Sequence, residues 1–170
     1  MSALTIQILR VIIVIALAGS LVVQVLIVPS AYGDLTPPGG GGPLSYVLAT
    51  IAVIGVLALQ VIGVSILRLL VLVRKGRVFS SRAFRWVDLI IGAVATEAVL
   101  VFGVAVTAAI ANRTHPGDEL APGAIGMICG VALVIAGVAL VITVQRQLLV
   151  QAVEARDRAA DLQSELDEVI

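Results

Sequence analysis

Glu97 is the residue best placed to do chemistry, a carboxylate inside the nearly charge-free run from Val87 to Ile110. It follows Asp88 by nine residues, so on an ideal helix it lies roughly 13 Å into that run. A charge at such a depth is costly, so the group should face protein and be hydrogen-bonded or protonated. Two amides sit in neighbouring apolar runs. Gln60 is eight residues from Arg68, about 12 Å deep, and Gln24 is fourteen from Arg10, about 21 Å deep. Depth therefore favours Gln60 over Gln24 as the partner of Glu97. A carboxyl–amide pair there can tie two helices together, or it can carry a proton or ligand in a small transporter or channel subunit. Both readings stay open.

Other reactive types are sparse. The single histidine, His115, neighbours Asp118 and Glu119, but a metal site needs three or four converging ligands. The lone Cys129 cannot form an internal disulfide. No phosphate-binding loop, dinucleotide fingerprint, nucleophile elbow or zincin helix is present. Neither an enzyme nor a cofactor is expected.

The elements that must position Glu97 follow from composition. Hydrophobic residues make up 60% of the 170, charged residues 13%, and the mean hydropathy is +1.14. Soluble domains carry about 25% charged residues, so the chain reads as an integral membrane protein. Four runs are long and apolar enough to span: about 11–32, 44–67, 87–110 and 121–144. The rival reading of the first, a cleaved signal peptide, fits less well, because the run exceeds the usual ~7–15 residue core. A Pro/Gly turn, "GDLTPPGGGGPL", joins the first two spans. A basic connection from Arg74 to Trp86 follows, with Gly76 breaking the second helix and Ser80 or Ser81 available to cap the third. The third connection, Asn112 to Pro122, is polar. The fold expected is all-α, a single membrane domain over 1–170: a four-helix bundle whose fourth helix extends as a cytoplasmic amphipathic tail over 145–170.

Orientation follows from the cations. Ten of the eleven Lys and Arg fall on one side of the four-span topology and only Arg113 on the other. Cytoplasmic loops collect such charge, so both termini and the basic loop (Arg74, Lys75, Arg77, Arg82, Arg85) should be cytoplasmic. That loop anchors the protein to anionic lipid, at ~1 kcal/mol per cation, or docks an acidic partner. Ten of the eleven are Arg, a usage that points to a GC-rich bacterial genome and hence to a bacterial plasma membrane.

Small residues recur in the spans. "GMICG" (Gly126–Gly130) has the small-xxx-small spacing of close helix packing, here expected inside the protein rather than across a dimer. Beyond Gln145 neither Gly nor Pro stops the fourth helix. Leu148, Ala152, Ala155, Ala159, Leu162, Leu166 and Val169 alternate at spacings of four and three, a heptad seam with an Ala-rich middle. Arg146, Arg156 and Arg158 come early in this tail; Asp161, Glu165, Asp167 and Glu168 crowd its end. Three readings fit it: a solvated helix end, a self-associating coil in a homodimer, or a docking helix for a cytoplasmic protein. In the last, Leu162, Glu165, Leu166, Asp167 and Glu168 make the contact.

Two stretches carry a resemblance. "GRVFSSRAFRWVDLIIGA" (Gly76–Ala93), with Phe79 and Ser80 after the basic turn, and the terminal "AADLQSELDEVI" together resemble the bacterial tetraspan family called domain of unknown function 2975. Many actinobacterial members end on an "ELQxELDEVI"-like sequence, from which this chain departs only at Asp161. The family has no established activity. Its genes often neighbour a small helix-turn-helix regulator, so the resemblance implies a membrane partner for a DNA-binding protein. It implies no nucleic-acid binding by this chain itself. The function expected is a non-enzymatic, membrane-resident regulatory or sensory protein.

Overall fold

In a computed structural model, the described residues are 3–29, 43–74, 81–114 and 120–167. They form four long helices: α1 (Ala3–Val22), α2 (Pro43–Arg74), α3 (Ser81–Thr114) and α4 (Pro122–Asp167). A π-helical turn, Val23–Ile27, continues α1. All four are long and apolar enough to cross a membrane, and no strand occurs among the described residues. The chain is thus an all-α membrane four-helix bundle.

Runs such as "RVIIVIAL" in α1 are rich in β-branched residues, which in water disfavour helix slightly. In lipid the backbone has no water to bond, so each span must satisfy its own N–H and C=O groups. That requirement outweighs propensity. The helices also overrun the apolar runs that mark them. α3 begins at Ser81, one of the two serines expected to start it, and so takes in the residues up to Trp86 ahead of its apolar run; Asn112–Thr114, read as connection, forms its last turn. Both helix ends carry polar residues (Arg82 and Arg85; Asn112, Arg113 and Thr114), the composition expected of turns beyond an apolar span. The Pro/Gly turn up to Gly42, Gly76, Phe79, Ser80, His115, Asp118 and Glu119 lie outside the described residues, as do Ser30–Tyr32 at the end of the first expected span; Pro43 and Leu44 open α2.

The helices pack chiefly in chain order, α1 on α2, α2 on α3 and α3 on α4. What they bury is small. The buried apolar residues are all alanines (58, 83, 93, 98, 105, 132 and 139), joined by Ser65 and Thr107. Large side chains point outward instead, with Leu133 77%, Met127 75% and Val99 70% exposed. Lipid tails are as apolar as Leu, so nothing drives Leu inward; small residues win the interior by letting backbones approach.

Heptad spacing organises these contacts. On α3, Phe84, Ile91, Ala98, Ala105 and Asn112 form one line, and its ends meet α4. Phe84 lies under the Arg146 guanidinium, 5.9 Å from the ring centroid. Asn112 donates from Nδ2 to the Leu120 carbonyl (2.7 Å) and accepts from the Leu120 N–H (3.0 Å). The matching line on α4 runs through Ala132, Ala139 and Arg146. A second line on α3, Trp86–Ala93–Leu100–Thr107, is about 160° away and faces α2. Seven-residue spacing is the signature of near-parallel, left-handed packing.

Candidate functional site: intramembrane polar residues and the helical tail

Gln60 turns toward α1. Its Nε2 donates to Ser20 Oγ at 3.0 Å and to Gln24 Oε1 at 2.8 Å. Ser20 in turn donates to the Leu17 carbonyl at 2.8 Å. Gln24 sits in the π-helical turn, where the extra residue per turn re-aims a side chain. Below this cluster Gly63 receives Leu17 so closely that an added Cβ would lie 3.1 Å from Leu17 Cδ2. Polar pair and glycine notch together fasten α1 to α2.

Glu97 faces α2 at a different place. Its carboxylate rests against Gly55, where an added Cβ would lie 3.5 Å from Oε2 and 3.8 Å from Oε1. Oε1 is buried without a hydrogen-bond partner among the described residues. The expected Glu97–Gln60 pair is therefore not formed, and Gln24 rather than Glu97 is the partner of Gln60. Two geometric facts account for this. Ile51 reaches Gly103 and Arg68 reaches Trp86, so seventeen residues along α2 match seventeen back along α3. In that register Glu97 is level with Leu57, three residues and about 4.5 Å short of Gln60. Gly55 and Gln60 are also about 140° apart around α2, one turned to α3 and the other to α1. Depth counted from Asp88 and Arg68 treated those residues as coplanar, and ignored rotation about the axis.

One end of the bundle carries a cation–aromatic belt. Arg68 stacks on Trp86 at 5.9 Å. Arg146 forms an ion pair with Asp88, Nη2 donating to Oδ2 at 2.9 Å while Nε lies close to Oδ1. Asp88 is thus neutralised by α4, a role that no reading of Asp88 as a depth marker revealed. Opposite charges at matching ends of antiparallel spans were the available signal. Of the basic loop, Arg85 is exposed. Lys75 and Arg77 lie outside the described residues, and so do the side chains of Arg74 and Arg82.

The tail is helical to Asp167. Leu162 is 62% exposed, and Arg158 reaches Glu154 at 3.5 Å. Glu168 and the side chains of Glu165, Leu166 and Asp167 lie outside the described residues. The expectation that "GMICG" packs internally is overturned. No heavy atom lies within 4 Å of a Cβ added at Gly126 or Gly130 among the described residues, because α4 meets α3 through the opposite face.

Four helices, each long and apolar enough to cross a bilayer, define a multi-pass membrane protein. A family model described as protein of unknown function (DUF2975) matches residues 41–170, and the chain belongs to that family. No curated protein and no solved structure matches it. The matched stretch contains α2, α3, α4 and the tail but not α1, which Gln60 fastens to the rest.

Replacing Gln60 with Leu is expected to loosen α1 from α2. Interhelical hydrogen bonds in membranes are worth about 0.6–2 kcal/mol. The variant should therefore fold, with protease cleavage between α1 and α2 in detergent several-fold faster than in the parent.

Proposed function

We propose that this chain is a regulatory protein of the bacterial plasma membrane, with both termini cytoplasmic, that holds a cytoplasmic helix-turn-helix transcription regulator on its tail and basic loop. The observation that carries this reading is the length of α4. Its 46 residues extend about 69 Å, against a hydrocarbon layer of about 30 Å, so a long helical arm stands clear of the bilayer. The acidic positions of that arm, Glu154, Asp157, Asp161, Glu165 and Asp167, all fall 100° or more from the line through Leu148 on an ideal helix. One side of the arm is therefore an anionic strip. Such a strip complements the basic surface with which a regulator grips DNA, and occupying it would hold the regulator off its operator.

The experiment uses the tagged full chain in its own membranes and any helix-turn-helix regulator whose gene neighbours its own. Deleting Asp161–Ile170 should abolish co-purification of the regulator and change expression of the neighbouring genes. If neither changes, the regulatory reading fails. Thiol labelling from outside the cell checks the orientation it needs. Thr36→Cys should react and Ser81→Cys should not; the reverse pattern would place the tail on the wrong side.

A further inference from the structure

We propose that α4 pairs in parallel with α4 of a second copy, along one continuous face that runs through the membrane and out along the tail. On an ideal helix Gly123, Gly126, Gly130, Gly137, Val141, Val144, Leu148, Ala152, Ala155, Ala159 and Leu162 all lie within about 40° of one line. Ala132, Ala139 and Arg146, which meet α3, lie on the opposite side. The free face is uncovered along its length. An added Cβ at any of the four glycines meets nothing within 4 Å among the described residues. Val141, Val144, Leu148 and Leu162 are 56%, 53%, 59% and 62% exposed.

Two environments give this face two independent reasons to be covered. Within the bilayer a lipid-facing surface has no need of glycine, and Met127, Leu133 and Leu140, 75%, 77% and 67% exposed, flank the line as ordinary lipid-facing residues. They make the glycines the floor of a groove that a backbone can enter. Beyond the bilayer the same line becomes a Leu/Ala heptad seam in water, where uncovered Leu is unfavourable and Ala at the core positions requires the same close approach. A partner must therefore be a long helix, parallel to α4, with small residues at the same levels.

A second α4 meets each requirement. The membrane holds two copies at one depth and in one direction, so the contact is self-complementary about an axis along the membrane normal. The other described helices have 20, 32 and 34 residues against 46, too short to follow the seam. The flanks also permit it. With Leu148, Ala155 and Leu162 at one core position and Ala152 and Ala159 at the other, the parallel register sets Gln151 opposite Arg156 of the second copy, and Arg158 opposite its Gln163. No like charges meet. Glu154 engages Arg158 of its own helix, and the acidic strip stays outward. The pairing goes beyond the regulatory reading and does not depend on it.

The test is disulfide cross-linking of the full chain in native membranes, after Cys129→Ala removes the native thiol. Single cysteines replacing Gly130, Leu148 and Leu162 should give dimers on mild oxidation, while a cysteine replacing Glu154, about 120° off the line, should not. Cys129 in the unaltered chain, about 100° off the line, should also stay unlinked. Adding Gly130→Leu, a site with open space in the single chain, should lower cross-linking through position 162 by about tenfold without reducing the amount of folded protein. Equal linking on and off the line, absence of dimer at all three positions, or linkage to a product of another mass would each overturn the proposal.

Discussion

Ala105→Leu is expected to remove most of the folded protein from a detergent extract, although it exchanges one apolar residue for a larger one in an apolar protein. Ala105 is only 1% exposed and lies on the α3 line that begins at Phe84 and ends at Asn112. Both ends of that line are pinned, by Arg146 of α4 at one and by the Leu120 backbone, just ahead of α4, at the other. A Leu between two fixed ends has no route outward, so it must separate the helices or break an end. Overpacking of this kind costs about 1–3 kcal/mol, occasionally more. Here that loss acts on a contact with little hydrophobic drive behind it. The matching control is Leu133→Ala, at a residue 77% exposed to lipid. Removing that side chain leaves lipid to fill the space, and stability should change by less than about 0.5 kcal/mol. The measurement is the fraction of monodisperse protein after heating in detergent.

Much of this architecture was legible in the primary structure because the bilayer leaves few choices. Four nearly charge-free runs of sufficient length read as four helices, and absence of Gly and Pro after Gln145 kept the last one running. The connections were less legible. The serines before Arg82 marked where α3 starts, but Asn112–Thr114 is polar and yet helical, since hydropathy marks where lipid begins and not where a helix stops. Side-chain pairing was the least legible. Glu97 and Gln60 look matched when each is counted from its nearest charge, but counting along one helix carries no information on the register of its neighbour. Nor does it reveal which way each residue faces. The glycines show the same limit. Gly55, Gly63 and Gly103 receive side chains from other helices, whereas Gly126 and Gly130 with the stronger motif receive none. Composition says that small residues pack; only the arrangement of the helices says against what.

Gly55→Leu is the second change expected to be severe, and its rescue is more informative than its damage. The Glu97 carboxylate and Leu100 occupy the space in front of Gly55, and an added Cβ would already lie 3.5, 3.8 and 3.9 Å from their atoms. Those are ordinary contacts, so Gly55→Ala should fold like the parent. The further carbons of Leu have nowhere to go but into the carboxylate. Glu97 cannot swing away without cost, because Oε1 is already buried and other directions lead toward lipid. Gly55→Leu should therefore part α2 from α3 and lose about 1–3 kcal/mol, read as the same loss of heat-resistant protein. Adding Glu97→Ala vacates the space, and the double variant should recover stability by about 0.5–3 kcal/mol relative to the sum of the single changes. The comparison that decides the point is Gln60→Leu with Glu97→Ala. These two sites share no partner, so their effects should add to within about 0.5 kcal/mol. Strong coupling between Gln60 and Glu97, with none between Gly55 and Glu97, would put the carboxylate on the other face of α2 and restore a joint Glu97–Gln60 site. Coupling at Gly55 alone instead leaves Glu97 a carboxylate held by shape, in a niche that glycine keeps open, with the amide cluster serving α1.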